Sequence, residues 1–296
     1  MTTMRNAQMN RKLHARAKAH RALNHGLIYL ALIFVAALTL FPLLWAFFAS
    51  MRSDVELYQY ALPFSWHTIF PVEYTFDAYR VVLTELGFPK AMLNTLVIIA
   101  IQIPAGCLVN SIAGFSFATF RFKGQKLLFG FFLVSFMIPF EAITMPLYQM
   151  VNNLGWVDTR WALIVPGIAS GMQLFLFRQF FADIPAAVLE SARVDGASWA
   201  QIFFYIMVPM CVPIFITAGL MIFMSEWNSY MWPLLVARSV KIRTVQIMMA
   251  TVKMEHITLW SCMYAGAVLS ILIPVALFLP LQKYFVEGIT AGAVKG

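Results

Sequence analysis

Four ionisable side chains lie close together in one stretch of an otherwise apolar sequence. The stretch covers residues 184–209 and contains Glu190, Arg193 and Asp195, and Asp183 directly precedes it. The whole chain of 296 residues has only 13 acidic and 21 basic residues. Such groups could act as acids and bases or form ion pairs with a partner. Four charges at a bilayer centre would cost on the order of 10 kcal/mol. We therefore expect this stretch to lie in water, outside the hydrocarbon.

Patterns that would indicate catalysis are missing from the sequence. It contains no GxxxxGK[ST] phosphate loop, no HExxH and no GxSxG. His14, His20 and His25 are spaced five or six residues apart, so they do not share a helix face as metal ligands would. The sequence predicts no catalytic residue, no metal site and no cofactor in this chain. If nucleotide hydrolysis drives this protein, a separate chain must carry it out.

Local signals predict a helix, a break and a second helix within the charged stretch. Asp183 can cap a first helix whose first turn contains Pro185. Gly196 offers a left-handed stop. Ser198 and Gln201 have the spacing of a capping box that starts the next helix, which leads back into the membrane.

The first helix of the stretch has one face of small residues around a charge. Ala186, Glu190, Arg193 and Ala197 share this face by their spacing. Such a face could sit deep in a partner's groove, with Glu190 placed for a basic residue there. The alternative is a connector helix that lies on the lipid surface, and the residues alone leave both open.

Composition indicates a polytopic all-α membrane protein. Hydrophobic residues make up 61% of the chain, charged residues 11%, and the mean hydropathy is +0.77. The formal charge of +8 comes from short flanks of apolar runs, which indicates membrane topology and not nucleic-acid binding. The three cysteines, in or beside apolar runs, are expected to serve packing.

Six transmembrane spans are predicted at about 20 residues each. They cover residues 26–49, 91–118, 127–149, 160–178, 204–224 and 263–282. The first run is too long for a cleaved signal peptide, so we interpret it as an anchor. The third contains Pro139, Glu141 and Pro146, and Glu141 is interpreted as an interfacial residue. The fourth contains Gly167 and Gly171, a GxxxG spacing that allows close helix approach.

Basic residues predict the orientation. With a cytoplasmic N-terminus, the inside segments carry 13 lysines and arginines and the outside segments carry eight. Both termini should therefore be cytoplasmic. The predicted organisation is a basic tail (1–25), a first helix (26–49), an extracytoplasmic loop (50–90), a core (91–282) that includes the cytoplasmic loop 184–209, and a cytoplasmic tail (283–296). Aromatic residues in the loop 50–90 indicate either a headgroup-level belt or a docking surface for an extracytoplasmic partner.

Several segments carry a resemblance to a known family. LESARVDGAS, followed by Pro209 and Pro213, resembles the EAA loop of ATP-binding-cassette importer permeases. IPFEAITMPLYQMVNNLGWVDT, LFLFRQFFADIP, EWNSYMWPLLV and QKYFVEGITAGAVKG are similar to segments of MalG-type permease subunits of carbohydrate importers. The resemblance covers nearly everything from about residue 90 to 296, in order and with family spacing.

The resemblance implies a MetI-like fold with six transmembrane helices in the bacterial plasma (inner) membrane. It also implies three partners: a second permease subunit of MalF type, an ATPase subunit dimer that binds ATP and Mg²⁺, and an extracytoplasmic solute-binding protein. The EAA loop would be the coupling helix, formed by Glu190, Ser191, Ala192, Asp195, Gly196 and Ala197. The C-terminal tail, including Gly292, Lys295 and Gly296, would reach between the ATPase subunits. Ser191 and Gln246 depart from the family, which commonly has alanine and proline at these positions.

Trp227 and Asn228 are candidates for the solute path, because an aromatic face and an amide suit a sugar. The alternative is an interfacial tryptophan followed by an asparagine that ends a helix. Two other classes of protein compete with the importer subunit: a gradient-driven secondary transporter, which would need ionisable residues at midspan, and an intramembrane enzyme.

Overall fold

The computed structural model describes the backbone of residues 2–252 and 259–293, and the side chains of residues 25–252 and 259–283. The α-helices found there are, in chain order, α1 (Thr2–Ala49), α2 (Asp54–Gln59), α3 (Trp66–Ile69), α4 (Asp77–Thr84), α5 (Phe88–Thr119), α6 (Gln125–Met137), α7 (Phe140–Asn153), α8 (Arg160–Ile164), α9 (Gly171–Ala182), α10 (Ala186–Val194), α11 (Trp199–Gln201), α12 (Val208–Met210), α13 (Val212–Trp227), α14 (Met231–Val236), α15 (Val245–Val252) and α16 (Trp260–Ala293). The 3-10 turn Val165–Gly167 joins α8 to α9, and a π-helix, Ile202–Met207, joins α11 to α12.

Four segments of the described chain are long and apolar enough to cross a membrane. They are His25–Ala49, Phe88–Thr119, Arg160–Ala182 and Trp260–Lys283. Two further pairs of helices meet the same test together but are strongly bent: α6 with α7 at 98°, and Trp199–Met210 with α13 at 81°. Six spans result when each bent pair is counted as one.

The bends occur where the backbone cannot continue a regular helix. Pro139 adopts an extended conformation at the start of α7, and its ring cannot donate the hydrogen bond that would continue α6. In the second bent pair, the π-helix widens the backbone and Cys211 leaves the helical region just before Pro213. The third and fifth predicted spans therefore each coincide with two helices joined at a sharp bend.

The long helix α5 lies at the centre of the bundle and packs against α9 and α13. It is apolar on all sides, as expected of a helix covered by several neighbours. Gly114 allows α9 to approach closely, since a Cβ there would lie 2.7 Å from Phe177 Cβ and 2.8 Å from the backbone nitrogen of Arg178. Contact at this distance is possible only without a side chain.

The buried amide of Asn110 forms hydrogen bonds at the break in the fourth span. The Asn110 amide nitrogen donates to the carbonyls of Gly106 (2.7 Å) and Ile168 (2.8 Å). Its oxygen accepts the backbone N–H of Ser170 at 2.9 Å. Asn110 thereby satisfies the groups that the break between α8 and α9 leaves free. Because of this break, Gly167 and Gly171 do not share one helix face, although each still allows a close approach.

The two ends of the bundle are named after Trp199 and Asp158, which lie at opposite ends of it. At the Trp199 end, the Trp199 ring meets the Phe120 ring at 4.8 Å, just after α5 ends. At the Asp158 end, Asp158 Oδ1 accepts the backbone N–H of Ser239 at 2.7 Å. This backbone bond is the main reason that the pKa of Asp158 lies below its usual value.

The segment between α1 and α5 is at the Asp158 end and is held by a buried ion pair. Arg52 Nε lies 3.3 Å from Glu56 Oε1, and both residues are buried. The Arg52 guanidinium also donates to the carbonyls of His67 and Thr68. Burial lowers the pKa of Arg52 from its usual value. In the same segment Trp66 and Tyr58 remain mostly exposed, as either an aromatic belt or a docking surface requires.

The cysteines serve packing, as predicted. Cys107, Cys211 and Cys262 are free thiols, and the last two are buried in apolar clusters.

Candidate coupling helix and interior cavity

Helix α10 is a short helix that lies outside the candidate spans. It begins after Pro185, whose extended backbone (φ −57°, ψ 132°) is the N-cap. The prediction that Asp183 caps this helix is wrong. Asp183 instead ends α9, because Ile184 and Pro185 separate it from the first turn of α10. The helix–break–helix itself is confirmed.

The break after α10 has the predicted chemistry. Asp195 ends the helix, and Gly196 follows in the left-handed region at φ +84°. The N–H of Ala197 then donates to the Ala192 carbonyl at 3.0 Å. Ser198 and Gln201 form the predicted capping box: Gln201 Oε1 accepts the Ser198 N–H (2.8 Å), and Ser198 Oγ accepts the Gln201 N–H (3.3 Å). One helix therefore ends and the next begins within a few residues.

Gly196 has room for a side chain, so a substitution there changes the preference of the backbone for the left-handed region without causing a steric clash. A Cβ on Gly196 would meet nothing within 4 Å. We expect Gly196→Ala to cost about 1 to 2 kcal/mol, because alanine disfavours the left-handed region. Gly196→Asn should cost less, since asparagine tolerates that region. Thermal unfolding of the full chain in detergent measures both, and equal unfolding temperatures for the two variants would contradict this role.

Helix α10 buries one side and exposes the other. Ala192 is buried among aromatic rings that include Phe115 of α5, Phe181 of α9 and Phe203 of the π-helix. The ring centroids of Phe115 and Phe203 are 5.4 Å apart, and those of Phe115 and Phe181 are 6.0 Å apart. Ala192 therefore places α10 in a buried cluster to which α5, α9 and the π-helix also contribute.

The exposed side of α10 carries a carboxylate beside an apolar side chain. Glu190 and Ser191 are exposed, and Val194 is 87% exposed although it is apolar. Arg193 is engaged within the chain. Its Nη1 donates to the Ala197 carbonyl at 2.7 Å, and its guanidinium lies 5.0 Å from the centre of the Trp199 ring. Of the predicted coupling residues, Ala192 therefore faces inward, Ala197 is half-buried, and Glu190, Ser191, Asp195 and Gly196 are exposed.

The bundle also contains a polar cavity of about 430 Å³. Its walls come from α7, α8, α9, α13 and α14 and from the 3-10 turn, and they include Phe140, Trp232, Gln173, Ser225 and Glu226. Aromatic rings and a few polar groups in a concave site are typical of sites for small polar molecules. In the described part of the chain, Glu226 is the one carboxylate that lines this cavity, and no lysine or arginine lines it.

Glu226 lies deep within the bundle. A Cβ on Gly167 would overlap the Gln102 amide nitrogen and would lie 3.1 Å from Glu226 Oε1, so both side chains converge on this glycine. Gln102 is 14 residues along the 32-residue helix α5, which places this convergence near the middle of that span. Sequence analysis missed Glu226 because the fifth span was predicted to end at residue 224, whereas α13 continues to Trp227.

The predicted solute-path residues lie beside a different cavity. Trp227 and Asn228 line a cavity of about 370 Å³ together with Gln246 and Ser270. Trp227 is 3% exposed and stacks on Phe223, so its ring has almost no accessible face. Asn228 ends α13, and its amide nitrogen donates to the Met224 carbonyl at 2.8 Å.

The predicted tail contact is only partly within the described residues. Gly292 lies near the end of α16, while Lys295 and Gly296 lie outside the described residues. At Gln246, the Nε2 group donates to the Trp227 carbonyl at 3.0 Å. A proline there could not make this bond.

Comparison with known proteins agrees with this architecture. Residues 102–290 match the model of the family described as binding-protein-dependent transport system inner membrane component. The arabinooligosaccharides transport system permease protein AraQ of Halalkalibacterium halodurans is 32% identical over 275 residues, which cover 91% of this chain and 96% of AraQ. The trehalose/maltose transport system permease protein MalG of Thermococcus litoralis is 30% identical, over 91% of this chain and 96% of MalG.

The fold is also similar to a solved structure. A chain in the crystal structure of a bacterial ABC transporter involved in the import of the acidic polysaccharide alginate superposes with a TM-score of 0.77, at 23% identity. The match covers 88% of this chain and 96% of that one. The likeness shows a shared fold.

Proposed function

The chain belongs to the family of binding-protein-dependent transport system inner membrane components, and on that basis we propose that it is a permease subunit of a carbohydrate importer. It is a multi-pass membrane protein. In the proposal, it forms half of the translocation pathway and a second permease of MalF type forms the other half. A separate ATPase dimer supplies the energy, and an extracytoplasmic binding protein delivers the solute.

The observation that carries the proposal is the exposed side of α10. Glu190 and Val194 lie on a helix outside the spans, next to an abrupt turn. A helix seated in a partner's groove uses both side chains, the valine against an apolar wall and the carboxylate against a basic residue. The sequence has no phosphate loop, so an importer would need a separate ATPase, and that ATPase is the partner proposed for α10.

The packing of α10 supports transmission of a movement into the spans. Ala192 is buried among rings from α5, α9 and the π-helix, so a push on α10 acts on three parts of the bundle together. Closely packed interiors do not deform continuously and respond as units. We propose that closure of the ATPase dimer moves α10 and turns the bundle against the second permease. Such coupling requires the ATPase to bind α10 differently in its open and closed states.

The solute path is proposed to include the polar cavity at Glu226. Its carboxylate can accept hydrogen bonds from sugar hydroxyls, and Trp232 and Phe140 supply aromatic walls. A cavity without a basic residue offers no counter-charge to an anionic solute. The proposed cargo is therefore a neutral sugar or oligosaccharide, in preference to a glycerol phosphate. Trp227 and Asn228 remain predicted contributors.

Glu226 can be tested against a matched carboxylate. We expect Glu226→Gln to lower ATP-driven uptake of the cargo at limiting concentration by about tenfold or more, because a hydrogen bond to a charged group is worth about 1.5 to 3 kcal/mol. Glu141→Gln is the control, since Glu141 is exposed on α7; it should change uptake less than twofold. Uptake into proteoliposomes measures both, and equal uptake in the two variants would remove Glu226 from the path.

Purification separates the importer from the competing classes. An importer subunit is expected to co-purify with an ATPase and a second permease, and its uptake should require ATP. Uptake by the isolated chain that follows an ion gradient without ATP would instead favour a secondary transporter. Product formation without a partner would favour an intramembrane enzyme.

A further inference from the structure

A second cavity, of about 720 Å³, opens at the Asp158 end of the bundle. Its rim carries the basic side chains of Lys90, Arg160 and Lys241, all of them exposed. Its wall is almost entirely apolar and is formed by Val97, Ile101, Trp161, Ile164 and Ile242. A charged rim above an apolar wall fits an amphiphile better than a small soluble molecule.

The depth of this cavity corresponds to one leaflet of a bilayer. Lys90, Val97 and Ile101 lie on one face of α5, at spacings of seven and four residues. At about 1.5 Å per residue, Ile101 lies about 16 Å along the helix from Lys90. Half of a hydrocarbon core about 30 Å thick is about 15 Å. An acyl chain whose headgroup lies at Lys90 would therefore contact the wall along its length.

Trp161 places the rim at the headgroup level. It is 61% exposed at the beginning of the fourth span, directly beside Arg160. Tryptophan is enriched at this depth of the membrane, where its ring meets hydrocarbon and its N–H meets headgroups. The basic rim and the membrane interface therefore coincide.

The rim has an excess of positive charge that the chain does not neutralise. Among the described residues, none of the three basic side chains forms an ion pair with an acid. Asp158 is the one carboxylate in the lining, and its oxygen is occupied by the Ser239 N–H. The net formal charge of the lining is thus +2.

The rim is also held in place before any ligand binds. Arg160 Nη2 donates to Asn94 Oδ1 at 3.2 Å. The Asn94 amide nitrogen donates to the carbonyls of Lys241 (2.8 Å) and Arg243 (3.1 Å). Asn94 is 2% exposed, so this buried amide joins α5 to the loop that carries Lys241. A preorganised site loses less conformational entropy on binding.

We propose that this cavity binds an anionic phospholipid, with the headgroup phosphate at Lys90, Arg160 and Lys241 and one acyl chain along Val97 and Ile101. Lysine and arginine side chains form charge-assisted hydrogen bonds with phosphate oxygens. The ligand chemistry is a phosphate joined to a hydrocarbon chain. The lining of this cavity contains no residue of α10 and shares none with the cavity at Glu226.

The test compares two lysine pairs at opposite ends of the bundle. The full chain is placed in nanodiscs of phosphatidylglycerol and phosphatidylcholine in equal amounts, and the retained lipids are counted by native mass spectrometry. The wild type should retain phosphatidylglycerol preferentially. Lys90→Gln with Lys241→Gln should weaken its binding by about 30-fold, which corresponds to about 1 kcal/mol for each charge. Lys123→Gln with Lys126→Gln removes the same charge at the Trp199 end and should change binding less than twofold.

Further variants and a soluble competitor separate a lipid from its alternatives. Ile101→Trp fills the lower part of the cavity without changing the charge, and it should also weaken phosphatidylglycerol binding. Unchanged binding in Ile101→Trp, with full competition by inorganic phosphate, would show a soluble phosphate site and overturn the lipid assignment. Unchanged lipid binding in the Lys90/Lys241 variant would overturn it too. If the Lys90→Gln/Lys241→Gln variant bound lipid normally but failed to retain the second permease, the surface would be a protein interface and the lipid assignment would be wrong.

Discussion

A Glu190→Lys substitution is expected to abolish ATP-driven uptake while the protein still inserts into the membrane and folds. Glu190 is exposed on α10, and no hydrogen bond or ion pair of its side chain holds the described bundle together. In the proposed complex it would face a basic residue of the ATPase. Replacing one member of an interfacial charge pair costs about 2 to 5 kcal/mol, and reversal adds repulsion. Uptake should therefore fall by at least about 30-fold.

A matched reversal at the other end of the bundle provides the control for Glu190→Lys. Glu73 is also an exposed carboxylate, in the segment between α1 and α5. Glu73→Lys changes the net charge equally and should leave the ATPase contact intact. The measurements are uptake in proteoliposomes, ATP hydrolysis and the amount of ATPase that co-purifies. If the Glu190→Lys complex hydrolyses ATP and takes up solute like the wild type, Glu190 is not a coupling residue.

The turn after α10 could be predicted from the sequence because its signals are local. Gly196 needs only its own backbone freedom, and the capping box needs only the four residues from Ser198 to Gln201. The assignment of Asp183 failed for a reason that is also local. Pro185 fits either the first turn of a helix or the extended residue before it, and the structure has the second. Spacing alone does not distinguish these two.

The cavity at Glu226 could not be predicted, because it depends on how distant helices meet. Hydropathy locates the apolar segments, but it does not show where the break at Pro139 or the π-helix bends two of them. The end of α13 at Trp227 was placed three residues too early, which moved Glu226 out of the membrane. An acid beside a predicted span in a chain with so few charges is the signal that could have identified it.

The close approach of α9 to Gly114 of α5 predicts that a side chain at this position lowers the stability of the bundle. We expect Gly114→Ala to destabilise the bundle by about 2 kcal/mol or more, because overpacking in a closely packed interior costs about 1 to 3 kcal/mol. Here the new Cβ would lie 2.7 Å from Phe177 Cβ and 2.8 Å from the Arg178 backbone nitrogen. A backbone atom cannot move aside without shifting α9, and α9 carries Phe181, which belongs to the same buried cluster as Ala192 of α10.

Gly130→Ala separates this packing effect from the general effect of alanine in a helix. Gly130 lies within α6, and a Cβ there would meet nothing within 4 Å. Alanine should therefore be neutral or stabilise by up to about 1 kcal/mol, through the lower conformational entropy of the unfolded chain. Thermal unfolding in detergent should thus shift in opposite directions for the two variants. Equal shifts would mean that α5 and α9 do not pack at this distance, and that a push on α10 does not reach the centre of the bundle through α9.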